Sequence, residues 1–585
     1  MDDKKQYLDK LRHSAAHLLA AAVLELWPDT KITIGPAIEN GFYYDFDFSQ
    51  SISENDLPKI EKKMKEIVKK WDKFERIEVT AEEAKEFFKN NPYKQELIDE
   101  FSQEGKQLTF YKSGDFTDLC RGGHIDNPKE ELKYFKLLSL AGAYWRGDEK
   151  NPMLTRIYGT AFPTEEELNA YLKQLEEAKL RDHRKIGKEQ ELFTFDNLID
   201  KGLPVWLPKG TIIKNEIEKL AIEMENKYGY LRVSTPHLGK KELYETSGHL
   251  PYYADSMYPP MEMDDGIYYL KAMNCPHHHL IYKSKIRSYR DLPIRLAEYG
   301  TVYRNELSGT LAGLLRVRSL QMNDAHIYCR KDQIKEEIKK VVELTLYYFN
   351  LFGFQELYFR LSKWNPNNKE KYIDEPDNWE YSQQVLREVL EEMQVKFVEV
   401  EDEAAFYGPK IDVQFKSVIG REETMSTIQL DFAAKSRFEL YYIDEKGSQN
   451  NEVFVIHRAP LSTHERLMAF LIEHYAGAWP VWLAPVQVSI ISVGKDHRDF
   501  CQKLGEELKE QGIRVEVDNA NETVGNKIRK AEKQKVPYML VIGDREMKDA
   551  ELTVRIRGQK ELLKINKQGF IQRVLEEIKT RQDKK

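Results

Sequence analysis

YGTVYRNELSGTLAGLLRVRSLQMNDAHIYC, residues 299–329, decides how this chain is read. The apolar stretches on both sides read as strands, and Ser308, Gly309, Thr310 and Gly313 between them favour a loop. A strand, a loop and a returning strand would gather Arg304, Glu306 and Arg316 over a bound nucleotide. The two arginines are fixed-charge forks suited to phosphate or carboxylate oxygens, whereas Glu306 can only accept hydrogen bonds, as from an amino group on a base. The competing view is a solvated hairpin with ordinary surface charge, since short motifs match by accident.

The 585-residue chain is 41% hydrophobic and 32% charged, with a mean hydropathy of −0.63 and no apolar run approaching a membrane span. This composition predicts a soluble, multidomain protein with no membrane partner. The N-terminal MDDKKQYLDKLRHSAAH has no signal-peptide core, and the cysteines lie far apart at 120, 275, 329 and 501, which points to a reducing cytoplasm. Net charge is −8, yet residues 501–585 hold 20 Lys and Arg against 15 Asp and Glu, leaving −13 on the remainder. That surplus fits either a solvated face or the landing surface for an RNA.

Three blocks and a connector follow, at 1–163, 164–192, 193–484 and 485–585. The connector opens with Thr164 and three glutamates and turns basic towards Lys188, the polarity of a helix set to its own dipole. The second block mixes long helices, at 211–228 and 333–352, with β-branched and aromatic runs. The last alternates VQVSIISV, a helix near 498–511, IRVEVD, a helix near 523–534, then YMLVIG and LTVRIR. Such alternation predicts an α/β domain with helices on a mostly parallel sheet.

The first block carries two pairs, His13 and His17 in HSAAH, and Cys120 and His124 in CRGGH, with Asp118 just before. In a helix, a spacing of four puts both histidines on one face. Three imidazoles and a thiol could ligate zinc, or equally position a water for hydrolysis without metal. Further on, Cys275 in KAMNCPHHH, His326 in MNDAHIYC and His457 in VIHRAP could make an open zinc site, although spacing gives no help and each is otherwise a half-buried core residue. The run His277–His279 is set aside, because three adjacent side chains do not face one ligand position.

Taken together, these residues resemble the class II aminoacyl-tRNA synthetases, and within them the bacterial-type threonyl-tRNA synthetases, over nearly the whole chain. STPHLG with Pro236 is similar to the first class motif, a dimer-interface element, YRNE through RVRS to the second, and HERLMAFLIEHYAG with Arg466 to the third. HSAAH, TIGPAIENGFYYDF and DLCRGGH resemble the family's editing domain, and MNCP, DAHIYC and VIHRA its zinc ligands. The resemblance implies an α+β multidomain protein: an N-terminal α+β editing domain, an antiparallel class II catalytic sheet with helices, and a C-terminal α/β anticodon-binding domain. It further implies ATP, L-threonine and tRNA(Thr) as partners, Mg²⁺ with the ATP, one Zn²⁺ per chain on Cys275, His326 and His457, and a homodimer.

By the same resemblance Arg304 meets the ATP α-phosphate and the threonine carboxylate, Glu306 lies near adenine, and Arg316 points to the terminal phosphates. Arg466 stacks on adenine and reaches the γ-phosphate. His249 takes the proton in transfer to the tRNA ribose, Asp324 accepts from the threonine hydroxyl, and Tyr407, Lys410, Thr427 and Gln429 are further pocket contacts. His13, His17, Lys94, Asp118, Cys120 and His124 line the editing site, and Glu546 and Arg555 read anticodon bases. Two sites answer two discrimination problems. Valine lacks the hydroxyl and is rejected at a metal; serine differs by one methyl, worth only about 1–3 kcal/mol, and must be removed by hydrolysis.

The chain departs from the commoner pattern in starting at the editing domain, without a ubiquitin-like domain before it. Met322 and Asn323, Thr424 and Ser462 also differ from the residues frequent there. A synthetase-like RNA-binding regulator or a free-standing editing hydrolase would not need the arginines and zinc ligands together.

Overall fold

The computed structural model describes residues 2–417, 420 and 422–583. The chain divides into two compact units, Met1–Glu176 and Glu177–Lys585.

In the first unit, helix Asp2–Leu26 buries Leu11, Ala15, Leu18, Leu19 and Ala22 completely. Its alanines leave no bulk beyond Cβ, so the helix axis lies close to the antiparallel pair Gly41–Asp47 and Met153–Phe162. A smaller three-stranded sheet contains the hairpin Thr109–Ser113 with Phe116–Leu119. Phe116 and Asp118 alternate onto its buried side, so a carboxylate occupies a position that strand periodicity reserves for an apolar group.

The second unit is built on an eight-stranded sheet in the order Leu231–Arg232, Ile294–Tyr303, Ser319–Cys329, Phe454–Arg458, Glu422–Asp431, Lys410–Lys416, Leu357–Ser362 and Phe397–Val400. Its pairings are antiparallel except at the two edges. The 299–329 stretch is the expected hairpin, with Tyr303 opposite Ser319 and Glu298 opposite Asp324. Ala325, Ile327 and Cys329 face the core formed with helices Pro208–Lys227, Ile334–Phe352 and His464–Tyr475. Asp324 and His326, being alternate residues, face the other way. One face of the sheet is therefore spent on stability and the other is left for chemistry.

Residues 488–566 form a five-stranded sheet in the order Val515–Asp518, Val488–Ser492, Tyr538–Ile542, Glu551–Ile556, Leu562–Asn566. The expectation of a mostly parallel sheet holds for the first three strands only; the last two pairings are antiparallel. Glu551–Ile556 and Leu562–Asn566 are joined by a tight turn with Gly558 at φ 78°, and a link that short cannot cross over to make a parallel neighbour. Arg514 and Arg557 tie this sheet to the preceding residues. Arg514 donates to the carbonyls of Trp482 and Ala484 at 2.6 and 2.9 Å and to Glu216 at 3.1 Å, and Arg557 to those of Trp479 and Lys535, both at 2.7 Å.

Candidate active site

Cross-strand register assembles the central site. His326 lies opposite His457, His457 opposite Gln429, and Gln429 opposite Lys410, a row that spans four strands on the face away from the core. Cys275 opens helix Cys275–Lys283, and ligand atoms of Cys275, His326 and His457 all fall within 4.8 Å of one another. The rings of His326 and His457 are 4.5 Å apart between centroids.

The hydrogen bonds around these imidazoles settle which nitrogen is free. His278 Nε2 donates to Glu298 Oε2 at 3.2 Å, which leaves His278 Nδ1 as the acceptor of the 2.8 Å bond from His326 Nδ1. His457 Nε2 donates to Asp431 Oδ2 at 3.1 Å. His326 Nε2 and His457 Nδ1 therefore keep their lone pairs unprotonated, and burial holds His326 neutral by pushing its pKa well below the ordinary value. A thiol and two imidazole lone pairs, with the opposite ring nitrogens anchored, are a fitting donor set for zinc with room for substrate. His278 was passed over in the sequence because the three-histidine run had no common direction. Of the three, His278 makes the hydrogen bond to His326, while His279 Nδ1 turns to the Tyr328 hydroxyl at 2.9 Å.

Next to this row lies a cleft of about 370 Å³ whose walls include Arg304, Met322, Asp324, Tyr407, Thr427, Gln429, Ser462 and Arg466. Burial lowers the pKa of the Arg304 guanidinium, and among the described residues no carboxylate comes within 4.0 Å of it. A half-buried cation without an ion-pair partner is a ready seat for an anion. Arg466 reaches Glu423 at 3.1 Å through Nη2, while its Nε is buried with no acceptor. Arg316 and Glu306, expected on different parts of a nucleotide, are paired with each other at 2.9 Å. Burial raises the pKa of Asp324, which receives Asn274 Nδ2 at 3.1 Å.

Tyr407 donates to Gln429 Oε1 at 2.5 Å. Lys410, opposite Gln429 on the site face, has its Nζ held by Asp412 Oδ2 at 2.9 Å. Thr427 donates to the other oxygen of Asp412 at 2.9 Å, so this buried carboxylate, missed in the sequence, orders both. Ser462 adopts φ 55°, a left-handed conformation that suits glycine, and its carbonyl accepts from Asn323 N at 3.1 Å. His249 lies in an adjoining recess with Cys275 and His457; Ser247 Oγ is 2.7 Å from its Nδ1, and burial, then Arg437, lowers its pKa to about 4.

In the first unit the two sequence pairs meet. His13 Nδ1 donates to the Gly35 carbonyl at 3.2 Å, so its Nε2 is the acceptor facing Cys120 Sγ at 3.1 Å. His124 Nε2 lies 3.6 Å from the same sulfur. Asp118 is neutralised by Lys94 at 2.5 Å and bonded by the Tyr44 hydroxyl at 2.7 Å, with His17 Nδ1 at 3.4 Å. Both nitrogens of His17 and Nδ1 of His124 are buried without a hydrogen-bond partner, the signature of a site that holds a small polar guest. Burial pushes the Cys120 thiol up to about 11 and His124 down to about 3, and lowers His13 and, further, His17. Glu546 and Arg555 are not brought into one cluster. Glu546 accepts from Gly543 N at 3.0 Å beyond the end of Tyr538–Ile542, whereas exposed Arg555 pairs with Met539 near that strand's start.

An antiparallel sheet that packs helices on one face and presents arginines, Arg304 among them without an ion pair, to a cleft on the other is the arrangement of a class II aminoacyl-tRNA synthetase. Comparison with known proteins agrees: residues 261–475 match the family model "tRNA synthetase class II core domain (G, H, P, S and T)", 487–577 "Anticodon binding domain", and 108–158 "Threonyl and Alanyl tRNA synthetase second additional domain". A threonine–tRNA ligase of Staphylococcus carnosus is 52% identical over 579 residues, covering 99% of this chain and 89% of the relative. Another from a Geobacillus species is 51% identical over 580 residues, covering 99% and 90%. The RNA-binding domain of threonyl-tRNA synthetase from Cryptosporidium parvum superposes with a TM-score of 0.64 at 32% identity, covering 69% of this chain and 99% of that one. The chain belongs to the threonine–tRNA ligase family.

Proposed function

We propose that the chain activates L-threonine with ATP and Mg²⁺, transfers it from the adenylate to tRNA(Thr), and hydrolyses seryl-tRNA(Thr) at the first-unit cluster. The observation that carries this reading is the half-buried Arg304, without an ion-pair partner, beside Asp324 and the Cys275–His326–His457 donor set. As the threonine carboxylate attacks the α-phosphate, Arg304 and the free Nε–H of Arg466 neutralise the gathering negative charge, and no general base is needed. A zinc ion on Cys275, His326 and His457 would supply a Lewis-acidic seat for the amino and hydroxyl groups of threonine. Asp324 accepts the hydroxyl hydrogen, and His249, neutral above about pH 4, is the proton acceptor for the ribose hydroxyl. Glu306 and Arg316 exchange their mutual pair for the adenine amino group and the terminal phosphates. Thr427, Gln429 and Tyr407 shape the pocket, Lys410 acts through Asp412, and Glu546 and Arg555 meet separate anticodon bases.

Exposed Leu231, Leu238 and Met263, beside the first class motif, support a homodimer. No helix of the described residues is long and apolar enough to cross a membrane, and the reading places the protein in the cytoplasm with its tRNA. Threonine-dependent ATP–pyrophosphate exchange by zinc-loaded protein tests the ligase reading; no exchange would end it.

In editing, the unpartnered imidazole nitrogens of His17 and His124 accept the proton of the attacking water, while Asp118, held by Lys94 and Tyr44, fixes the geometry. The double variant Cys120→Ala, His13→Ala should accumulate seryl-tRNA(Thr) while threonine activation stays within about twofold of wild type. Parallel loss of activation would contradict the division between the sites.

The acid–base state of the cluster gives a second test. A histidine base is lost only when the pH falls to its own pKa, and burial has moved these below the ordinary 6.5. Seryl-tRNA hydrolysis should therefore vary less than about twofold between about pH 5.5 and 8. An inflection near pH 6.5 in single-turnover deacylation would show an ordinary imidazole at work.

A further inference from the structure

Between the connector and the catalytic sheet lies a short helix, His183–Glu189, that the mechanism above does not use. His183 is 3% exposed and touches both nucleotide-binding motifs. Its Nε2 accepts a hydrogen bond at 3.1 Å from the backbone N–H of Leu314, in the loop that carries Glu306 and Arg316. That fixes the proton on Nδ1, which donates at 2.7 Å to Oε1 of Glu473, near the end of the helix that begins beside Arg466. The backbone N–H of His183 points at the same oxygen, at 3.4 Å.

The fit is tight on the loop side. Gly313 stands at φ 56°, and a Cβ there would lie 2.4 Å from His183 Nε2, so the loop can approach the imidazole only as glycine. Leu314 is wholly buried in the core, while Ala312 N donates to the Arg316 carbonyl at 3.3 Å. The backbone just before Arg316 is thus pinned at one point by an apolar side chain and at the next by an imidazole. Arg316 is itself half exposed, with a side-chain exposure of 54%, and its own placement depends on that pinned backbone.

We infer that His183 is a positioning residue for ATP: it clamps the 304–318 loop against the helix His464–Tyr475, so that Arg316 and Arg466 meet the nucleotide at a fixed separation. The inference rests on the ligase reading. It touches no atom of threonine or its metal site, which makes it separable from the amino-acid pocket.

Two isosteric variants divide the two bonds. Asn keeps a donor for Glu473 but cannot reach Leu314; Gln offers an oxygen to Leu314 N–H but loses the Glu473 bond. In pyrophosphate exchange both variants should raise the KM for ATP, His183→Asn about tenfold and His183→Gln, whose backbone N–H still points at Glu473, about threefold, with the KM for threonine within about twofold in each. Gly313→Ala approaches from the loop side and should raise the KM for ATP alone, which keeps the inference testable if His183→Asn does not fold. An unchanged KM for ATP in Gly313→Ala or in folded His183→Asn would overturn it. So would equal increases for ATP and threonine. If wild-type protein shows no threonine-dependent exchange, the ligase reading fails instead, and ATP affinity by equilibrium dialysis on the same variants still decides the role of His183.

Discussion

Arg304→Gln should lower kcat/KM for threonine-dependent pyrophosphate exchange by about three orders of magnitude while the protein stays folded. Both halves of that expectation follow from the same geometry. Removing one preorganised donor from a developing oxyanion costs about 10²–10³ in rate, and Arg304 offers a full charge and two parallel N–H groups on the wall of the cleft. Glutamine keeps one amide nitrogen but neither the charge nor the parallel fork. The fold should not suffer, because Arg304 has no ion pair to lose, and its backbone N–H still donates to the Arg318 carbonyl at 2.9 Å across the hairpin. Exchange kinetics beside a thermal melt would check it: exchange within about tenfold of wild type would remove Arg304 from the charge-neutralising role, and a melting temperature that collapses would mean that Arg304 holds the protein together rather than the nucleotide.

Cys275→Ser is expected to strip the zinc and, with it, the distinction between threonine and valine. Wild-type protein should hold about one zinc per chain. Serine at 275 replaces a thiolate ligand by a neutral hydroxyl, and His326 and His457 alone do not hold the ion through dialysis. A site that engages a substrate hydroxyl rejects the analogue lacking it by about 10⁴ or more; the variant should activate threonine poorly and favour it over valine by about tenfold at most. His278→Ala gives a graded version, since loss of the group that orients a ligand costs about 10–100-fold in metal affinity. Metal analysis of the three proteins decides the matter. Stoichiometric zinc retained in Cys275→Ser would remove the basis for the specificity argument.

How much of this could be read beforehand differs from part to part. The hairpin at 299–329 was legible because a polar centre between two apolar runs leaves few other solutions, and the His13–His17 helix because a spacing of four has one meaning there. The convergence of Cys275, His326 and His457 was not legible from spacing: it depends on which strands are neighbours, and register places residues 131 apart in sequence directly opposite one another. Resemblance supplied that set, and the register gives its cause. His278 and Asp412 were missed since each acts on another side chain, a relation that leaves no periodic trace. The mixed C-terminal sheet was misjudged at its edge, where the decisive signal was the length of one turn.

The grip of Arg514 and Arg557 on residues 479–484 has a mechanical outcome. Main-chain carbonyls that lie at the junction itself are taken up by guanidinium groups, so the terminal lobe is braced at its root and cannot swivel about a slack tether. On the proposed function, a tRNA held by this lobe would meet a braced surface, and reaching the catalytic cleft would fall to the tRNA's own bending.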